Sequence, residues 1–312
     1  MTRLAICFPG QGSQAVGMGQ DLYNEFDSVK TLFDEAGTIL GKDIKKICFE
    51  GPEEELMQTE NTQVAIFLVS VALYQQLKLS GITPSFVTGH SLGELTAYYA
   101  AGVLDLETAL AAVIRRGQLM SQAHPKAESA MAAVMGMDIV ALEAVVTAHD
   151  AGVAVVANYN SAAQVVISGE RVAIEAVSES LKEAGAKRVI PLKVGGAFHS
   201  PLMESAVVPF TEFLSDKSFN NASVPVILDR TAQPESDAEL LRSNLPEQIR
   251  SSVQWTSISQ FLGKNVDVVI ECGPGRVLSG LLKKTSPDLT IFSIFNLESL
   301  NTVLPELTSA VE

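Results

Sequence analysis

The chain has 312 residues, 47% of them hydrophobic and 19% charged, which excludes a disordered chain and suggests about two domains, or one large α/β domain with an insertion. Lys and Arg total 22 against 36 Asp and Glu, and the net charge of −14 argues against general binding to nucleic acid or to an anionic membrane. Three scattered cysteines, four histidines without metal spacing, a first apolar run too short for a signal peptide and a longest apolar stretch (64–74) short of the ~20 residues that span a bilayer lead us to expect a soluble, cytoplasmic monomer without a metal.

Residues 4–8 read as a buried strand, stopped by Pro9-Gly10. Phe26, Val29, Phe33 and Ala36 keep helical spacing and predict one helix over 21–40. Val64, Phe67, Leu68, Val71, Ala72 and Gln75 do the same, in a segment so apolar that its helix must be buried. Phe86-Val87-Thr88 is a strand, and 92–101 a helix closed by Gly102. Leu106, Ala109, Val113, Arg116 and Met120 share one face of a helix that Asp105 can cap. From 129 to 194 the order becomes strand, helix, strand, strand, helix, strand (130–135, 139–148, 153–158, 164–168, 172–184, 186–192), the βαββαβ of a ferredoxin-like unit. Strands at 224–228, 266–270 and 289–294 complete an alternation that implies a largely parallel sheet. The expected organisation is an α/β body over 1–126 and 196–312 with a ferredoxin-like subdomain over 127–195.

The sharpest motif is Gly89-His90-Ser91-Leu92-Gly93, a G-x-S-x-G between a strand and a helix. The glycines let strand and helix approach closely, and Ser91 would be raised at the turn beside the N–H of Leu92, a donor for an oxyanion. A glycine-rich turn with a Ser N-cap is the plain alternative. Among the histidines, His199 follows Ser91 in the hydrolase order and stands just before a helix; it is either the base or a buried structural histidine. Arg116 falls on the apolar face of its helix, where an unpaired guanidinium is costly; an internal acid such as Glu94 would be the ordinary partner.

Phe8-Pro9-Gly10-Gln11-Gly12-Ser13-Gln14, Gly89-His90-Ser91-Leu92-Gly93-Glu94, Arg116-Gly117-Gln118-Leu119-Met120, Asn158-Tyr159-Asn160-Ser161, Gly196-Ala197-Phe198-His199-Ser200-Pro201-Leu202-Met203 and Gly273-Pro274-Gly275-Arg276-Val277-Leu278 occur in that order. This ordered set resembles the malonyl-CoA:acyl carrier protein transacylases and the related acyltransferases of polyketide synthases, from about residue 4 to residue 295. The resemblance implies an α/β-hydrolase-like core, Ser91 as nucleophile, His199 as its base, and the N–H groups of Gln11 and Leu92 as oxyanion hole. It implies Gln248 as the residue whose backbone carbonyl orients His199, and Arg116 as the holder of the malonyl carboxylate. Phe198 matches a position associated with malonyl rather than methylmalonyl, although it reads equally as core; Asn160 matches a pocket position, although it reads equally as a turn former; Met120 falls in the Arg116 segment of the pocket. Two departures stand out: Ser251-Ser252 where the family often has Asn-Pro, and Leu228-Asp229 where it often has Ser-Asn.

The implied activity is ping-pong transfer of malonyl from malonyl-CoA to the phosphopantetheine thiol of an acyl carrier protein, with the CoA thioester as substrate and no cofactor. Three rivals stand beside it: a serine hydrolase of acyl-thioesters using the same Ser91 and His199, a dinucleotide-binding protein built on Gly10-Gln11-Gly12-Ser13-Gln14-Ala15, and a non-catalytic carrier-protein docking module, against which the intact Ser, His and Arg set argues. Because carrier proteins of this type and CoA are acidic, docking needs local cations; candidates are Lys42, Lys45 and Lys46, then Lys187, Arg188 and Lys193 (the first choice), and Lys283-Lys284.

Overall fold

The structure, a computed structural model, describes residues 2–311. Its strands are β1 (Leu4–Phe8), β2 (Phe86–Gly89), β3 (Ser129–Met135), β4 (Ala154–Ser161), β5 (Gln164–Glu170), β6 (Arg188–Pro191), β7 (Val226–Ile227), β8 (Pro234–Glu235), β9 (Val268–Cys272) and β10 (Thr290–Ile294). Six of them form one sheet in the order β10-β9-β1-β2-β7-β8, parallel except for the short edge strand β8. Every residue of β1 is buried, with Leu4, Ile6 and Phe8 facing one core and Ala5 and Cys7 the other. That is the continuous apolar run of a strand covered by helices on both faces.

On the first face lies the helix Thr59–Leu79, whose residues 61–74 are buried all round, packed against the helix Leu106–Gln122. Asp105 caps the latter, accepting from the Thr108 N–H at 2.7 Å. The opposite face holds Trp255, Ile258 and Leu262 of the helix Trp255–Asn265. β3 to β6 form a separate antiparallel sheet in the order β4-β5-β3-β6, backed by the helices Ile139–Thr147 and Arg171–Glu183. Its apolar side closes on a cluster of its own that includes Val134, Val156, Ile167 and Val177.

The structure departs from sequence expectation in several places, among them the strand expected over 266–270, which runs over Val268–Cys272. The single helix expected over 21–40 is two, Gln20–Glu25 and Asp27–Leu40, because Phe26 is extended (φ −112°, ψ 122°) between them. The strand expected over 224–228 keeps only Val226–Ile227; Pro225 accepts from the Val87 N–H but has no N–H to donate. The last strand of the second sheet is also shorter than 186–192, and residues 159–161 belong to β4. Asn160 therefore sits in a strand, which removes the turn-former reading. After Gly10-Gln11-Gly12 the chain turns until Gly19, and the next helix starts at Gln20; no helix opens on the glycines as a dinucleotide fingerprint requires. No helix among the described residues is long and apolar enough to cross a membrane.

Candidate active site

β2 delivers the chain to Gly89 and the helix Gly93–Ala100 leaves immediately afterwards. Between them Ser91 takes φ 54°, a left-handed backbone that costs a non-glycine residue roughly 1–2 kcal/mol. The two glycines make the turn possible by contact: a Cβ on Gly89 would enter the Gly93 backbone, and one on Gly93 would enter the Phe8 carbonyl. The side chain of Ser91 is thereby presented to a cavity of about 440 Å³, which Gln11, Leu92, Arg116, Phe198 and His199 also line.

Ser91 Oγ lies 2.7 Å from His199 Nε2. The other ring nitrogen, Nδ1, faces two carbonyl oxygens, Gln248 at 3.1 Å and Ser251 at 3.0 Å. Carbonyls only accept, so Nδ1 carries the proton and Nε2 is left as the acceptor for the serine hydroxyl. His199 is itself strained, with φ 56°, and its N–H donates to the Ile249 carbonyl. Burial, then the Arg116 charge and the neighbouring His90, push the imidazole down to about 3, so it is neutral at ordinary pH. Ser251, where the sequence departs from Asn-Pro, thus supplies a second acceptor to the ring.

Arg116 does not pair with Glu94. Its Nη1 donates to Gln63 Oε1 at 2.8 Å, and its Nη2 to Gln248 Oε1 at 2.9 Å and to Ser91 Oγ at 3.1 Å. Among the described residues, Arg116, at 1% exposure, has no carboxylate in direct contact, and its Nε has no hydrogen-bond partner. Burial pulls it down to about 10, still charged near neutrality. The Glu94 carboxylate is used elsewhere, by the Asp229 N–H at 2.6 Å and the Asn244 side chain at 2.7 Å. Asn160 Oδ1 lies 2.9 Å from His90 Nε2, and Met120 Sδ accepts from Gln63 Nε2 at 3.6 Å.

Sequence reasoning missed Gln63 and Asp229. Gln63 belongs to a polar opening, Thr59 to Gln63, of a helix whose next stretch, 64–74, is almost wholly apolar and buried; that contrast was its signal. Asp229 accepts from the Ser91 N–H at 2.6 Å, although 138 residues separate them. Among the described residues no group of three or more His, Cys, Asp and Glu is placed to hold a metal ion.

Residues 6–299 match the family described as acyl transferase domain. The chain belongs to that family. It is 41% identical to the malonyl CoA-acyl carrier protein transacylase of Bacillus subtilis over 310 residues, 98% of each chain. The same fold appears in an acyl carrier protein S-malonyltransferase from Vibrio cholerae, with TM-score 0.92, 39% identity, and 97% of this chain and 100% of that one covered. A malonyl-transacylase solved in complex with a type II polyketide synthase acyl-carrier protein gives TM-score 0.94 at 37% identity, covering 98% and 100%. Family membership gives the Ser91–His199 pair an acyl-transfer context.

Proposed function

We propose that this protein transfers the malonyl group of malonyl-CoA to the phosphopantetheine thiol of an acyl carrier protein. One observation carries the choice of substrate: a buried guanidinium, in direct contact with no carboxylate among the described residues, lines the cavity 3.1 Å from the nucleophile's oxygen. A malonyl group brings the missing carboxylate within one acyl length of Ser91, where a planar fork of donors can hold it through two parallel bonds.

The reaction follows from the geometry. His199 Nε2 takes the Ser91 hydroxyl proton as Oγ attacks the thioester carbon. The oxyanion forms near Gln11 and Leu92, whose backbone N–H groups we assign as its donors. Collapse breaks the C–S bond, and His199 returns the proton to the departing CoA thiolate. In the second half the carrier thiol gives its proton to His199 and attacks the malonyl ester, and Ser91 leaves reprotonated. The carbonyls of Gln248 and Ser251 hold the ring in the tautomer this needs. After burial, the Arg116 charge disfavours the imidazolium; a bound malonyl carboxylate would offset that charge, so substrate itself would raise the basicity of His199.

Phe198, 5% exposed and lining the cavity beside His199, would crowd an α-branch, and Asn160 and Met120 shape the same cavity. The free-water hydrolase has no such reason to bury Arg116. Ser91→Ala tests the assignment: intact-mass spectrometry after malonyl-CoA should show the adduct on wild type and none on the variant, and a normal adduct on the variant would overturn it.

We also read the chain as an α/β-hydrolase-like core over 1–126 and 196–312 with a ferredoxin-like insertion over 127–195. In support, the six-stranded sheet draws all its strands from outside 127–195, and the four-stranded sheet draws all of its strands from within.

A further inference from the structure

Beneath the nucleophile turn lies a buried cluster in which Asp229, Glu94 and the Gln248 side-chain amide have no part in the transfer chemistry above. Asp229 and Glu94 are both fully buried, and Gln248 is 1% exposed. Asp229 Oδ2 accepts two hydrogen bonds, from the Ser91 N–H at 2.6 Å and from Gln248 Nε2 at 2.9 Å. The same Nε2 also donates to the Ser91 carbonyl at 2.8 Å, while Gln248 Oε1 accepts from Arg116 at 2.9 Å. The Gln248 amide thus spans a donor-only cation and an acceptor on the far side. Its orientation has one solution as long as both remain, because a reversed amide would face Arg116 with N–H against N–H.

We propose that Asp229 is a positioning residue for acyl transfer, tying the strained backbone of Ser91 to the Gln248 amide and, through that amide, setting the guanidinium of Arg116. It touches no reacting atom. What it fixes is the relative placement of nucleophile and carboxylate holder, which come from the β2 turn and from the helix Leu106–Gln122. The proposal rests on the transferase reading only for the choice of acyl donor.

The cluster also carries charge. The groups facing Asp229 are Glu94 and Tyr98 from the helix Gly93–Ala100 and Arg116 from the helix Leu106–Gln122. Neither carboxyl touches the Arg116 guanidinium, which acts on both only at a distance through a dry site, and among the described residues Asp229 Oδ1 has no hydrogen-bond partner. Burial, and then repulsion from Glu94, hold Asp229 well above the usual carboxylate range. Burial likewise pushes Glu94 up to about 7.

The test compares wild type, Asp229→Ala and Asp229→Asn. The readout is the ratio of malonyl to acetyl loading rates on Ser91, by intact mass, from pH 5.5 to 8.5. Asp229→Ala should lower the ratio about tenfold or more, because the amide, held on that side by the Ser91 carbonyl alone, fixes Arg116 less firmly. Asp229→Asn keeps an acceptor oxygen and should restore most of the ratio while changing its pH dependence. In an Arg116→Ala background, the Asp229→Ala effect on the ratio should vanish. A ratio in Asp229→Ala equal to wild type would overturn the proposal, as would an equal fall in both acyl rates with the pH profile unmoved. If Asp229→Ala does not fold, Asp229→Asn and its pH profile carry the test alone, and a wild-type profile there overturns it. A wild-type protein that takes up no malonyl sinks the transferase reading instead; labelling of Ser91 by a fluorophosphonate in the same variants then reads the positioning role, with slower labelling of Asp229→Ala expected and equal labelling overturning it.

Discussion

A guanidinium at 1% exposure loses hydration that the amide oxygens of Gln63 and Gln248 and the Ser91 hydroxyl replace only in part, since none of them carries charge. Such a residue is expensive unless something charged completes it, and the cavity in front of it is where that charge can enter. Arg116→Ala should therefore lower kcat/KM for malonyl-CoA by about 100-fold or more, taking roughly 1.5–3 kcal/mol per charged hydrogen bond. The same variant should gain transfer of acetyl or another monoacyl group, because it no longer leaves a buried cation unpaired. Steady-state kinetics with the two donors decide it, and unchanged malonyl kinetics would contradict the carboxylate role. Position 116 on an apolar helical face was visible from spacing alone; its partners were not. The ordinary expectation, a salt bridge to Glu94, fails because Glu94 is already committed to Asp229 and Asn244.

At the scale of elements, the strand–turn–helix around Ser91 was predictable because its determinants are local. Two glycines four residues apart allow a crossing that no Cβ permits, and the apolar run before them can only be a buried strand. Gly93→Ala places a methyl against the carbonyl of Phe8, a backbone atom fixed in the central strand, with nothing flexible to give way. The expected cost is about 3 kcal/mol or more, at the upper end of overpacking. Gly280→Ala is the counter-case: it lies within the helix Val277–Thr285 with open space at its Cβ, and should stabilise by roughly 0.5–1 kcal/mol. Urea midpoints measure both, and similar effects of the two substitutions would undo the contact explanation. Where local signals were misread, tertiary packing had overridden them. An extended Phe26 splits a run of good helical spacing into two helices.

For the molecule as a whole, the net charge of −14 leaves docking of an acidic carrier to a few cations. Lys42 and Lys45 are engaged by Glu60 and Asp34. Lys193 lines the catalytic cavity and also the neighbouring one of about 650 Å³, within reach of an arm entering toward Ser91. We therefore propose Lys193, with its exposed neighbours Lys187 and Arg188, as the docking patch. Lys193→Glu combined with Arg188→Glu should raise the KM for carrier protein about tenfold at low salt and flatten its salt dependence, while loading from malonyl-CoA falls much less. Carrier kinetics with an unchanged salt slope would place docking elsewhere.

The sequence by itself determined the alternation of strands and helices, the serine turn, the order of serine before histidine and the anomalous arginine, because periodicity, glycine sterics and burial of charge act over a few neighbouring residues. Only the tertiary structure decided who meets whom. Ser91 receives His199 from 108 residues away, Arg116 from 25, and Asp229 from 138. Asp229 had no explanation as a letter in the chain. It acquired one when the parallel sheet set β7 beside β2, bringing the residue just past one strand under the turn that follows the other.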